Sequence, residues 1–77
     1  MTEQFEQHTI EYYFKQYDIS DPDQKAKLLT LVTDVVYDRN MHVISLEKEQ
    51  NETKRAQIAS GIEELEAHLE RIFTQGE

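Results

Sequence analysis

The sequence predicts an all-α protein: a bundle of three or four helices, or a helical hairpin, with a long C-terminal helix. Three observations predict it. Apolar residues recur three and four positions apart in separate segments, the period of a helix with one buried face. Asp21-Pro22-Asp23-Gln24 reads as a helix start, with Asp21 as N-cap, Pro22 at the first helical position and Gln24 closing a capping box. Ile58, Ile62, Leu65, Leu69 and Ile72 alternate spacings of four and three, a heptad-like seam.

The first helix is expected from Thr2 to Tyr17. Ile10, Tyr13, Phe14 and Tyr17 share one stripe, and Phe5 and Tyr12, seven apart, widen it. Glu11 and Lys15 form an i,i+4 pair in the favoured order. The second helix is expected from Pro22 to Asp38. Leu28, Leu29, Leu31, Val32, Val35 and Val36 cover more than one stripe, so this helix should lie between neighbours at the centre of the core. Asn40 reads as its end, because Asn tolerates the left-handed conformation after a helix. Met41 to Leu46 either starts a third helix, the favoured reading, or forms a short extended piece. The tail is helical from Ile58 to Thr74. Extended backwards, its seam becomes polar at Arg55, Asn51 and Lys48. This leaves two alternatives: one long helix with a solvated middle, or a loop near Asn51. Ser60-Gly61-Ile62-Glu63 mimics a capping box and marks a kink or fresh start.

Composition narrows the chemistry. The 77 residues suffice for one small domain, residues 1–77. With no Cys, the chain has no disulfide framework, thiolate zinc site or thiol nucleophile. Two Gly and one Pro leave no Gly-rich phosphate loop. Sixteen acids against eight bases give a net charge of −8. The acids crowd both ends, while residues 24–55 are nearly neutral. Phosphate backbones require clustered Lys and Arg, and only Lys25/Lys27 and Lys54/Arg55 approach that, so direct nucleic-acid binding is not expected. No apolar run reaches the roughly 18 residues of a membrane span, and the acidic start lacks a secretory pattern. A cytoplasmic protein is expected.

No constellation points to catalysis. His8 with Glu11 and Glu64 with His68 each place two ligands on one helical face, but a metal needs three or four. The carboxylate pairs Asp21/Asp23 and Glu47/Glu49 and the run Glu63/Glu64/Glu66 read as solvated faces, since acid–base chemistry requires a concave site. Ser20, Ser45 and Ser60 carry no nucleophile motif. Asp18, Asp21 and Asp23 lack the Gly and distant Glu of a calcium loop. No enzyme activity, metal or cofactor is expected.

Apolar stripes therefore carry the functional reading. Tyr12, Tyr13, Phe14, Tyr17, Val32, Val36, Leu65 and Leu69 are the candidate partner or dimer contacts. The Tyr-rich cluster is either core or an aromatic hot spot, and Tyr12, off the main stripe, faces the partner. So few apolar side chains make a thin core, which favours a homodimer.

Ile10-Glu11-Tyr12-Tyr13-Phe14, then Leu28-Leu29-Thr30-Leu31-Val32-Thr33-Asp34-Val35-Val36, then Asp38-Arg39-Asn40-Met41 resembles the YmgB/AriR family of small two-component-system connectors and biofilm or stress-response regulators. The resemblance covers about residues 10–46. It implies a small helical dimer without catalytic residues that acts on other proteins. Residues 47–57 are more polar than that family's next helix. Ile10-Glu11-x-Tyr13-Phe14-Lys15 is also similar to Sda, a helical-hairpin inhibitor of a sporulation kinase. The expected function is that of a small acidic regulatory protein that binds a regulator, kinase or DNA-binding protein. Two alternatives are an acidic DNA mimic that inhibits a nucleic-acid-binding protein, and a helical chaperone or adaptor that uses the 58–72 seam.

Overall fold

The computed structural model describes residues 5–76. Three helices account for most of them: α1 Ile10–Gln16, α2 Pro22–Lys48 and α3 Glu52–Gln75. The all-α reading holds, with three helices rather than four.

Each helix starts on a side-chain cap. The Thr9 hydroxyl accepts from the Tyr12 N–H at 3.1 Å. The Asp21 carboxylate accepts from Gln24 N–H at 2.9 Å, with Pro22 at the first position as expected. The Asn51 side chain accepts from Lys54 N–H at 3.0 Å. Each supplies an acceptor to one of the orphaned first-turn donors. α1 ends on Asp18 with φ 59°, a conformation Asp tolerates better than most residues. Asp18 N–H then donates to Lys15 C=O and Ile19 N–H to Phe14 C=O. Ile19 packs on the same core as Phe14, completing a Schellman ending with its hydrophobic contact.

Three expected boundaries are corrected. α1 begins at Ile10, not at Thr2. Thr2 lies outside the described residues, and residues 5–9 are not helical. Asn40 does not end α2, and Met41 does not start a new helix; one helix runs on to Lys48. Val36, Arg39, Val43 and Leu46 continue the buried stripe at steps of three and four, so the interior holds the helix together past Asn40. The loop lies at residues 49–51, one of the two alternatives for the polar middle. There Arg55 Nη1 donates to Leu46 C=O at 2.6 Å and to Glu49 C=O at 2.8 Å. Gly61 starts no helix. It sits inside α3 where the His42 ring crosses, and a Cβ there would lie 3.2 Å from His42 Cδ2.

The short 49–51 link folds α2 and α3 back on each other as a hairpin, the longest dimension of a body 43 × 19 × 18 Å. α1 lies across the hairpin. Tyr13, Phe14, Leu28, Val32, Val36, Leu69, Ile72 and Phe73 form the larger core cluster. Phe73 gathers the α1 aromatics, stacking on Tyr17 at 4.8 Å and on Tyr13 at 5.9 Å between ring centres. Val43, Leu46 and Ile62 form a second cluster nearer the turn, with Phe5 and Ile58 against it. Phe5 therefore does not widen the α1 stripe; it leaves it for the other cluster.

Candidate functional site

Of the eight candidate contacts, Tyr13, Phe14, Val32, Val36 and Leu69 are buried. They fill the interior of a single chain: α1 needs Tyr13 and Phe14, and the hairpin needs the other three, to exclude water. Tyr17 and Leu65 are half-buried. Tyr12 is exposed at 41%, off the buried stripe. The 58–72 seam is largely spent on α2, with Ile62, Leu69 and Ile72 buried.

Between the two core clusters along α2 sits Arg39, a charged side chain only 2% exposed. Its Nε donates to Glu66 Oε2 at 2.5 Å. Its Nη1 donates to the Glu6 carbonyl and, at 3.1 Å, to Asn40 Oδ1. Asn40 in turn clasps one backbone unit of the segment before α1. Its Oδ1 accepts from His8 N–H at 3.0 Å, and its Nδ2 donates to His8 C=O at 2.8 Å. The Tyr13 hydroxyl lies 3.2 Å from His8 Nδ1 and 3.5 Å from Glu66 Oε2. The His8 ring stacks on Tyr12 with centres 3.9 Å apart. A buried charge is tolerable only when paired and hydrogen-bonded, and among the described residues no buried side-chain polar atom lacks a partner.

Sequence reading passed over this network. By pattern Asn40 reads as a helix end and Glu66 as part of a solvated run. The signal was positional: Arg39 falls three after Val36 and four before Val43, and Glu66 falls four after Ile62 and three before Leu69. A charged residue on a buried stripe on each of two helices is a candidate pair. The His8/Glu11 pairing dissolves, because His8 precedes the helix. Among the described residues no group of three or more His, Asp or Glu side chains could hold a metal ion.

Burial pushes the Tyr13 phenol well above its usual range, and it raises Tyr17 as well, where Glu70 and Glu66 add to the effect. His8 is lowered from 6.5, first by burial and then by the Arg39 guanidinium, against opposing pulls from Glu66 and Glu6. The docked segment thus favours neutral His8. Its contribution to stability is complete above pH 6.5 and is lost as pH falls through the lowered value. Thermal melts of the wild type and His8→Gln from pH 7.5 to 5 should show the steeper acid loss in the wild type. Superimposable pH profiles would contradict this.

Other surface features are shallow. Asp38, His42, Gly61, Leu65 and His68 line an open depression on the hairpin, where His42 Nδ1 bonds the Asp38 carbonyl at 2.8 Å. Gln16, Tyr17, Glu63, Glu66 and Glu70 line another. Among the described residues no helix is long and apolar enough to cross a membrane. No family model, curated protein or solved structure matches the chain.

Proposed function

We propose that this chain works by binding other proteins, as a small acidic modulator of a signalling or transcriptional regulator, with a second copy of itself among the proteins it can bind. The observation that carries this reading is the uncovered apolar face of α2. Leu29, Tyr37 and Met41 are 46%, 63% and 42% exposed. At eight and four residues apart, they fall within about 120° of helical arc. Aromatic and Met side chains presented on a rigid helix are the usual anchors of protein interfaces. The family resemblance of residues 10–46 supports the same class of function.

The test is capture by the tagged full-length chain from lysate of its source cells, washed across a salt series, beside the double variant Tyr37→Ser/Met41→Ser. Both side chains are exposed, so folding should change by no more than about 0.5 kcal/mol each. The wild type should retain a regulator even in 1 M salt, where screening shortens to about 3 Å, and the variant should lose it. Equal retention by both would sink the assignment of this face. A complex that dissolves in moderate salt for both proteins would move the contact to the acidic side of α3, where Glu63, Glu66 and Glu70 line one depression. The DNA-mimic reading would then take its place.

A further inference from the structure

Residues 5–9 form no secondary structure, yet they are held by contacts of a particular kind. Phe5 enters the apolar cluster of Val43, Leu46 and Ile62. The Glu6 carbonyl takes a hydrogen bond from Arg39. The backbone of His8 is gripped at both its N–H and its C=O by one Asn40 side chain. One side-chain pocket plus hydrogen bonds to the main chain is how proteins read linear peptides: the backbone bonds supply affinity and the pocket supplies selectivity. α2 and α3 supply every one of these groups, and Tyr12 and Tyr13 of α1 add contacts to the His8 ring. The first capped turn of α1 starts only at Thr9, so residues 5–8 can leave without breaking a helical hydrogen bond.

We propose that the groove formed by Arg39, Asn40, Val43, Leu46 and Ile62 is a recognition site for a linear peptide segment of a partner protein, and that the chain's own residues 5–8 occupy it as an internal substitute. The contacts define the peptide. Its first residue is aromatic. Its second offers a free carbonyl to Arg39. Its third is unconstrained. Its fourth is best a histidine, whose ring stacks on Tyr12 and meets the Tyr13 hydroxyl, and cannot be proline, because Asn40 needs an N–H as well as a C=O. Occupation from within lowers the groove's apparent affinity by the fraction of time that it is filled. The site is thus self-masked, and a partner engages it by displacing the segment. This deepens the protein-binding function proposed above and rests on it, but it concerns a different surface from Tyr37 and Met41.

The test uses a fluorescent peptide of sequence Glu-Gln-Phe-Glu-Gln-His-Thr against full-length proteins. Phe5→Ala empties the pocket from within and should bind the peptide at least about tenfold more tightly than the wild type. His8→Pro removes the N–H that Asn40 holds and should unmask the groove in the same way, which guards against a folding defect peculiar to Phe5→Ala. Peptides with Ala for Phe, or with Pro for His, should lose binding about tenfold or more. Amide NMR signals of the Asn40 side chain should move on addition of the parent peptide. No binding to either unmasked protein, or equal binding of all three peptides, overturns the proposal. Tyr37→Ser/Met41→Ser, made in the Phe5→Ala background, should bind the peptide as Phe5→Ala does. Peptide binding there alongside undiminished partner capture by the double variant overturns the α2-face reading alone; failed peptide binding overturns the groove alone.

Discussion

Glu66→Ala should destabilise the fold by about 3–5 kcal/mol, and Arg39→Met should cost less. Both variants break the same ion pair. They differ in what remains. Without Glu66, a guanidinium 2% exposed is left with the Glu6 carbonyl and Asn40 Oδ1, and neither carries charge. Without Arg39, the stranded carboxylate belongs to a side chain 38% exposed, which water can reach, while Met fills the space of the arginine stem. An unsatisfied buried charge costs far more than a hydrated one. A chain of this length has roughly 4–12 kcal/mol of stability in all, so Glu66→Ala should remove much of it and lower Tm by about 12 °C or more. Urea titration of both variants, read by helical circular dichroism, decides the order. A larger loss for Arg39→Met would show that burial of the arginine, not its pairing, is what matters there.

Leu69→Ala should cost about 2–5 kcal/mol, the range for emptying a closed apolar site. Leu69 is fully buried in the larger cluster with Tyr13, Val32 and Phe73. Leu65, one turn earlier on the same seam, lines an open depression, so Leu65→Ala leaves space that water enters and should cost under about 1 kcal/mol. The sequence pattern treats the two leucines alike. Thermal melts of both variants test the difference, and equal losses would mean that the seam is buried evenly along its length.

Asp21-Pro22 and the apolar stripe of α2 were legible because capping and helical period are local properties. The overrun past Asn40 was not, because Arg39 counts as polar in any pattern yet lies on the buried stripe. What makes it acceptable there comes from residues 27 and 33 positions away, Glu66 and Glu6. The non-helical path of residues 5–9 was hidden for the same reason. Phe5 continues the helical spacing of Tyr12, but the pocket of Val43, Leu46 and Ile62 competes for it and wins. Of the candidate surface, Tyr12 could be placed off the stripe from spacing alone. Exposure of Tyr37 and Met41 required knowing which arc of α2 meets α3.

The gathering of aromatics around Phe73 also determines what light can report about this molecule. The chain has no Trp and four Tyr. Three of them, Tyr12, Tyr13 and Tyr17, lie on α1 or at its end, and the fourth, Tyr37, is exposed on α2. Near-ultraviolet absorbance and tyrosine emission therefore follow the seating of α1 and are nearly blind to the turn at residues 49–51. The far-ultraviolet helical signal is the reverse: α2 and α3, at 27 and 24 residues, dwarf the 7 of α1. The two spectral windows watch different parts of one small body. Their coincidence or separation in a single melt distinguishes one cooperative unit from a hairpin that outlasts the departure of its first helix.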